Sequence, residues 1–317
     1  MALVMGCTEA ASTAQPTDPP LATAQGHLMA LLDTAGGTFW VRRSPKGVTD
    51  LVHLAPDVAT PVVLDSVTIP EPIWNPEGRL ATVGETVLWA AGEGPALRWA
   101  ALDGPGTGVA HEGAITDLDS EGTLVVFSEH NSGRVSWTTE ARVRAGDAAE
   151  ATANVEYASG VATDGTTTWV IKRLSALLLR FDSPGSEPVV AASWPGDNTM
   201  DLSRGAKDLV WWNHATGELL AMAMTPDASI RTLFEGSAGR WGTVVVGREH
   251  LWYAYGEYDA VPQVPVLRRG SLVPGAPETL TTALGADCQP MIAVATDGVQ
   301  IVHSDCNGDL WRRKSDP

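Results

Sequence analysis

The sequence has few basic residues, few aromatic residues other than tryptophan, and no long apolar segment. Its 21 Lys and Arg residues stand against 38 Asp and Glu residues, which gives a formal net charge of −17. Such a surface repels phosphate backbones, so nucleic acid is not an expected partner. No apolar run is long enough to cross a bilayer as a helix, so we expect membrane attachment only through a covalent lipid anchor.

Several motifs of enzyme chemistry are also missing from the sequence. No glycine-rich phosphate-binding loop precedes a helix, and neither Gly-x-Ser-x-Gly nor His-Glu-x-x-His occurs,. We therefore expect no cofactor and no bound metal. The sequence favours a binding role over an enzymatic one, although it leaves the second open.

Short apolar runs separated by turn residues fill most of the chain. The 32 glycines and 21 prolines punctuate these runs, and 12 tryptophans are spread singly along the sequence against 4 Tyr and 4 Phe. Stretches with helical periodicity are few. This pattern predicts an all-β protein.

An internal repeat is the most informative feature. Ala-Thr-Asp-Gly occurs at Ala162–Gly165 and at Ala295–Gly298, 133 residues apart, which is three periods of about 44 residues,. Weaker copies are anchored on five further glycines: Gly26, Gly84, Gly122, Gly205 and Gly247. An apolar strand, a polar turn and a second strand follow each anchor, then an outer polar strand and a fourth apolar strand.

Four strands in about 43 residues are typical of one blade of a β-propeller. The anchors predict a single propeller over residues 26–317 with seven antiparallel blades, and six or eight blades are the alternatives. The first interval, from Gly26 to Gly84, and the sixth, from Gly247 to Gly298, are longer than the others, so all three blade counts stay open. The last repeat ends after its second strand, so we expect residues 18–25 or part of the first unit to complete it. Trp40, Trp99, Trp137 and Trp311 are expected to pack between blades,.

The repeated pattern consists of Asp-Gly, an apolar strand with Trp or Tyr, a glycine turn and a second strand with Arg. It resembles the blades of exported bacterial propeller lipoproteins and the wider group of YWTD-like and TolB-like propellers. The resemblance is spread over residues 26–317, and no single motif within it is diagnostic.

The amino terminus contains a second resemblance. Leu3-Val4-Met5-Gly6-Cys7 is similar to the lipobox of bacterial lipoproteins, in which the cysteine is acylated. Residues 9–25 are rich in Ala, Thr and Pro and are typical of a flexible tether. Only six residues precede Cys7, so this interpretation requires a start upstream; the alternative is an ordinary cysteine in a disordered tail. In that family Thr8, rather than Asp, implies sorting to the outer membrane.

The two remaining cysteines lie near the carboxyl terminus. Cys288 and Cys306 are each nine residues from Asp297, the middle of a predicted hairpin turn. An antiparallel hairpin centred there would bring them within disulfide reach. A disulfide would require an exported chain, and a pair of buried thiols in a cytosolic protein is the alternative.

In a propeller, the turns between second and third strands and the loops that link blades share one face. The repeat places the following candidate ligand-binding residues there: Asp33, Glu93, Glu129, His130, Lys172, Arg173, Asn213, His214, Tyr255, Glu257 and Asp305. Short polar loops would give a similar set without any function.

Two sharper hypotheses concern this set and a neighbouring segment. His130 and His214 occupy equivalent loops two blades apart. They could converge on the central funnel as metal ligands or, with Glu129 or Glu257 nearby, as an acid–base pair, although exposed loop histidines are the favoured explanation. Asp117-Leu118-Asp119-Ser120-Glu121-Gly122 has the alternating oxygens and glycine of a calcium loop. Its twelfth position is Ser128 rather than Glu, so we predict no metal site there.

The sequence as a whole predicts a monomeric, lipid-anchored, exported propeller that binds a protein, a glycan or a small molecule. The alternative is a propeller enzyme, a lyase or a hydrolase, with its active site at the central funnel.

Overall fold

The computed structural model describes residues 19–23, 26–44, 46–69, 78–91, 96–129, 132–146, 149–196, 199–235, 244–247, 251–256, 266–275, 277–281, 284, 292–294 and 300–314. Regular structure in these ranges is almost entirely β-strand, as predicted. The exceptions are the helix α1 (Glu140–Ala145) and a 3-10 turn (Arg173–Ser175).

Consecutive strands pair antiparallel in chain order to form sheets. The first three blades contain β1 (His27–Thr34), β2 (Gly37–Arg43), β3 (Val48–Leu54), β4 (Val62–Thr68); β5 (Arg79–Val83), β6 (Thr86–Ala90), β7 (Ala96–Ala101), β8 (Thr107–Glu112); and β9 (Ile115–Glu121), β10 (Leu124–Glu129), β11 (Arg134–Thr139), β12 (Ala151–Asn154). The next three contain β13 (Ala158–Thr163), β14 (Thr168–Lys172), β15 (Leu177–Phe181), β16 (Val189–Ser193); β17 (Thr199–Arg204), β18 (Asp208–Asn213), β19 (Glu218–Ala223), β20 (Arg231–Glu235); and β21 (Val244–Val246), β22 (Leu251–Gly256), β23 (Val266–Ser271), β24 (Glu278–Thr281). The last sheet, here called the closing sheet, contains β25 (Ile292–Val294), β26 (Gln300–Ser304) and β27 (Leu310–Lys314).

The sheets are arranged in a ring. The first strand of each sheet contacts the first strand of the next, and β25 of the closing sheet contacts β1. The molecule is therefore a single all-β propeller. It has six four-stranded blades rather than the predicted seven, because the closing sheet has three strands within the described residues.

The amino-terminal segment lies against the free edge of the closing sheet. The N–H of Leu21 donates to the carbonyl of Leu310 at 2.7 Å, and the N–H of Leu310 donates to the carbonyl of Ala22 at 2.8 Å. These two bonds form one antiparallel bridge. Of the two segments expected to complete the last repeat, the amino-terminal one contacts the closing sheet through Leu21 and Ala22, although it adds no fourth strand within the described residues.

Five of the anchor glycines lie in the turns between first and second strands: Gly84, Gly122, Gly165, Gly205 and Gly247. Gly122 and Gly165 adopt φ values of 62° and 91°, which glycine tolerates best,. Asp164 explains the Asp-Gly motif, because its Oδ1 accepts the N–H groups of Thr166 and Thr167 and so orders the turn,.

The first anchor was misplaced by one strand. Gly26 precedes β1, whereas the corresponding turn of the first blade lies between Thr34 and Gly37. This displacement lengthened the first interval. It also assigned Trp40 to the wrong strand, since Trp40 lies on a second strand while Trp99, Trp137 and Trp311 lie on third strands.

The hydrophobic core lies between neighbouring sheets rather than at the centre of the ring. The buried residues form seven clusters, and each cluster combines side chains of two adjacent sheets. Trp40 and Trp137 are fully buried in two of them, as expected for packing between blades. Each sheet therefore needs both neighbours to bury its faces.

Strand order defines two faces of the ring. The turns between second and third strands and the loops that link blades lie on one side, here called the loop face. The turns between first and second strands lie on the opposite face. These two faces and the central channel are the surfaces on which a site could form.

Candidate functional site

Most of the predicted ligand-binding residues that the structure describes do lie on the loop face. Glu129, Lys172 and Asn213 end second strands there, and Arg173, His214 and Asp305 follow such strands. Tyr255 lies within β22, one residue from its end. The other predictions fall outside the described residues: Cys7, Glu93, His130, Glu257 and Cys288.

Asp33 is the exception and is a correction. It lies at the end of β1, where a first strand turns into a second, and therefore at the opposite face. Its Oδ1 accepts hydrogen bonds from Thr38 Oγ1 at 2.5 Å and from Arg312 Nη2 at 3.1 Å. Since Arg312 belongs to β27, the Asp33 carboxylate joins the first blade to the closing sheet. The misplaced first repeat caused the error.

Two of the loop-face residues order their own turns. Asn213 Oδ1 accepts the N–H of Ala215, and its amide donates to the carbonyl of Pro195. Asp305 Oδ1 accepts the N–H groups of Asn307 and Asp309, while its Oδ2 accepts the indole N–H of Trp311. These bonds explain both side chains without a ligand.

His214 and Lys172 differ in burial. His214 is only 4% exposed, so it is not the exposed loop histidine of the simpler interpretation. Lys172 is ion-paired across the surface with Glu156 at 3.7 Å. Nothing in the described residues brings His214 together with Glu129.

Glu129 instead pairs with a histidine that the sequence did not point to. His111 Nε2 lies 3.2 Å from Glu129 Oε1, and both side chains are largely buried at 17% and 10% exposure. Ser132 Oγ donates to Glu129 Oε2, and the His111 ring packs against Phe127 at 5.1 Å. Within the described residues neither His111 Nε2 nor Glu129 Oε1 makes a hydrogen bond, so their contact is a close approach without hydrogen-bond geometry. The pair is here called the rim dyad.

A second feature of the described residues is a cavity of about 270 Å³ in the central channel. All seven sheets contribute residues of their first strands to its lining. The apolar wall comes from the first blade, the sixth blade and the closing sheet: Met29, Ala30, Leu31, Val244, Val245 and Ile292. The charged wall comes from the second, third and fifth blades: Arg79, Asp117, Asp119 and Arg204.

The charged wall is built from two ion pairs that cross blade boundaries. Arg79 on β5 lies 3.2 Å from Asp117 on β9, and Arg204 on β17 lies 3.4 Å from Asp119. Arg204 also reaches Glu121 at 2.5 Å. The alternating acids that suggested a calcium loop are therefore successive same-side positions of the strand β9,.

Both aspartates also accept backbone N–H groups of β13, the inner edge strand of the fourth blade. The N–H of Val161 donates to Asp117 Oδ2 at 2.8 Å, and the N–H of Thr163 donates to Asp119 Oδ2 at 2.7 Å. A first strand has no further strand on its channel side, so these N–H groups need side-chain acceptors.

Burial dominates the electrostatics of the charged wall. It raises the pKa of Asp117 from 3.8 to about 6, although the Arg79 charge and the N–H bonds oppose the shift,. Burial also raises the pKa of Asp119 against the opposing charge of Arg204. A cavity that joins an apolar wall to a few fixed polar groups with perturbed pKa values is the usual form of a small-molecule site.

Sequence reasoning missed Arg79, Asp117, Asp119 and Arg204 as neighbours. The available signal was polar alternation in β9, which a fully packed inner strand would not show. Their convergence depends on the ring, because Arg204 lies 85 residues from Asp119 in the chain.

The carboxyl-terminal cysteine lies on the loop face. Cys306 follows β26, is engaged in a disulfide, and donates its N–H to the carbonyl of Leu284 at 2.7 Å. Because Cys288 is outside the described residues, the pairing of Cys288 with Cys306 stays a prediction.

The described ranges contain neither a metal-binding cluster nor a membrane-spanning helix. No three His, Cys, Asp or Glu side chains are grouped there so as to hold a metal ion. No helix in those ranges is both long and apolar enough to span a bilayer. In the comparison with known proteins, neither a protein-family model nor a curated protein matches this chain.

Proposed function

We propose that this protein is a binding module whose ligand is a small molecule held in the central channel. The observation that carries the proposal is the cavity of about 270 Å³, with one apolar wall and one wall of fixed ion pairs. Its volume is close to the lower end of ligand cavities, about 300–1,000 Å³. Seven first strands frame it, so the site is preformed and a ligand would not have to order it.

The test is to bind small molecules and then to fill the channel. The probes are short-chain alcohols, amines and carboxylates of four to eight carbons, observed by ligand-detected NMR. Ser203 lines the cavity and is partly exposed, so Ser203→Phe should abolish binding that occurs in the channel. Thr60, exposed ahead of β4, gives the control variant Thr60→Phe. Binding that survives Ser203→Phe, or no binding of any probe, would reject the proposal.

The finer parts of the proposal concern attachment and compartment. Cys7 carries a lipid, and the propeller faces an oxidising compartment as an outer-membrane lipoprotein. The lipobox-like residues and the disulfide-bonded state of Cys306 support this,. Mass spectrometry of the protein from its native membrane should find an acylated Cys7, and an unmodified thiol would reject the anchor. Non-reducing peptide mapping should join Cys288 to Cys306.

The rim dyad supports a second candidate, a propeller enzyme. A carboxylate beside one imidazole nitrogen holds the ring in a single tautomer and leaves the other nitrogen available as a general base. In the structure Glu129 Oε1 lies 3.2 Å from His111 Nε2 without hydrogen-bonding it, so the pair could act in this way only after the ring or the carboxylate turns.

Chromogenic ester and glycoside substrates would test this candidate. Any turnover should be lost in His111→Asn and reduced in Glu129→Gln, whereas His53→Asn, on the third strand of the first blade, should leave it unchanged. Turnover that survives His111→Asn would exclude the dyad as the catalytic group.

A further inference from the structure

The central cavity is asymmetric in charge as well as in polarity. The described lining holds two carboxylates (Asp117 and Asp119) and two guanidiniums (Arg79 and Arg204). Glu121, which is 49% exposed and lies outside the lining, adds a third carboxylate beside Arg204. The group therefore has an excess of one negative charge when all are ionised. The described residues that line the opposite wall carry no charge.

The positive side chains are held by protein acceptors. Arg79 donates from Nε to the carbonyl of Thr116 at 2.8 Å and from Nη1 to the carbonyl of Gly78 at 2.9 Å. Arg204 is shared between two carboxylates, Asp119 and Glu121. An anionic ligand would have to compete with these acceptors and with the carboxylates beside them.

The negative side chains are fixed but not fully neutralised. Asp117 and Asp119 are held in place by N–H groups of the fourth blade, so their positions do not depend on a ligand. A buried carboxylate whose pKa is raised in spite of a nearby arginine gains stability from a further positive charge,. The partners that face Asp117 are Arg79, the N–H of Val161 and, as the nearest like charge, Asp119.

We propose that the channel ligand is a cationic amphiphile, an organic ammonium with a short apolar tail. The ammonium group lies against Asp117 and Asp119, and the tail lies against the wall of Met29, Val244, Val245 and Ile292. This inference rests on the proposed function, because it specifies the ligand of the same cavity. A cation taken out of water needs such carboxylate partners, and an uncharged alkyl chain needs such a wall.

Three molecules with the same tail and different charge separate this inference from the proposed function. They are n-hexylammonium, 1-hexanol and hexanoate, and their affinities are measured by isothermal titration calorimetry at pH 7.5 and moderate salt. We expect hexylammonium to bind at least about tenfold more tightly than hexanoate, with hexanol between them. Two controls measure the general attraction of cations to this acidic protein. Added salt screens that attraction, and Asp182→Asn removes one exposed carboxylate outside the cavity,.

The wild-type protein provides a second measurement that needs no substitution. Protonation of Asp117 removes one negative charge, so hexylammonium affinity should fall as the pH is lowered through about 6, while hexanol affinity should not,. Asp117→Asn should reduce the preference for hexylammonium over hexanol by about tenfold and should flatten its pH dependence.

The outcomes distinguish the two proposals. Tighter binding of hexanoate than of hexylammonium, abolished by Ser203→Phe, would overturn the cationic ligand and leave the channel as a binding site. Equal binding of all three probes in the channel would overturn it in the same way. No channel binding by any of them would reject the proposed function, and with it this inference.

Discussion

Two junctions of the ring close neighbouring sheets by different means. Between the third and fourth blades, Asp117 and Asp119 accept N–H groups across the boundary, and Trp137 donates its indole N–H to Thr168 Oγ1 at 2.9 Å. Between the closing sheet and the first blade, Trp40 is equally buried, but its indole N–H has no hydrogen-bond partner among the described residues.

The closing junction depends instead on contacts between the two ends of the chain. Arg312 of β27 reaches Asp33, which is 279 residues away, and one bridge joins Ala22 to Leu310. The polar groups of the blade 3–4 junction are therefore satisfied more completely than those of the closing junction. Because a ring opens where its junction is weakest, we expect the closing junction to be the first to separate.

The largest expected effect concerns the blade 3–4 junction. Trp137 is fully buried and packs edge-on against Phe181 at a centroid distance of 5.1 Å. Trp137→Ala should lower the free energy of unfolding by about 3–5 kcal/mol, measured by urea denaturation. Tyr157→Ala, at a side chain that is 62% exposed, is the control and should change it by less than about 0.5 kcal/mol,. A loss near 1 kcal/mol for Trp137→Ala would mean that this junction is not tightly packed.

Lowering the pH should stabilise the blade 3–4 junction through Asp117 and destabilise the closing sheet through His303. The pKa of Asp117 is raised to about 6 in the folded protein, so the folded state holds a proton that the unfolded chain releases above about pH 4,. The resulting stabilisation is complete below pH 3.8 and is lost as the pH rises through 6, by up to about 3 kcal/mol,. The stability of wild type relative to Asp117→Asn should therefore fall between pH 4 and pH 7. A constant difference would contradict the raised pKa.

The closing sheet should respond through His303. Burial and the charge of Arg313 lower the pKa of His303 from 6.5 to about 4. Between about pH 6.5 and pH 4 the unfolded chain therefore binds a proton at His303 and the folded protein does not,. The stability that the unprotonated His303 ring contributes is complete above pH 6.5 and is lost as the pH falls to 4, by up to about 3 kcal/mol,. Wild type should lose stability relative to His303→Asn over that interval, and NMR titration of the ring should show no protonation above pH 5.

The repeat could be predicted from the sequence because its turns are local. Asp164-Gly165 orders its turn through bonds that span at most three residues, and Gly122 marks its turn by a positive φ. The first repeat failed because Gly26 also has a positive φ, of 81°, yet it precedes the strand β1 rather than the turn at its end. A glycine alone does not tell which turn of a blade it occupies.

The candidate site could not be predicted from local sequence patterns, because its residues come from different blades. Alternating acids in Asp117–Glu121 fit a calcium loop and an inner strand equally, and only the arginines of other blades decide between them. His111 has no sequence motif, and its pairing with Glu129 arises because the second and third blades are neighbours. Loop-face residues were located more readily, since strand order alone places them.

The smallest prediction compares the two tryptophans directly by the same substitution. Trp137→Phe removes the indole N–H that Thr168 accepts, and it leaves a buried hydroxyl without that donor. Trp40→Phe removes an N–H that has no partner among the described residues, so it forfeits packing alone. Trp137→Phe should therefore lower the free energy of unfolding by about 1 kcal/mol more than Trp40→Phe. Urea denaturation of both variants, each with an unchanged slope, measures this difference. If Trp40→Phe were the more costly change, the closing junction would be the better packed of the two, and the contrast between them would rest on hydrogen bonds that contribute little.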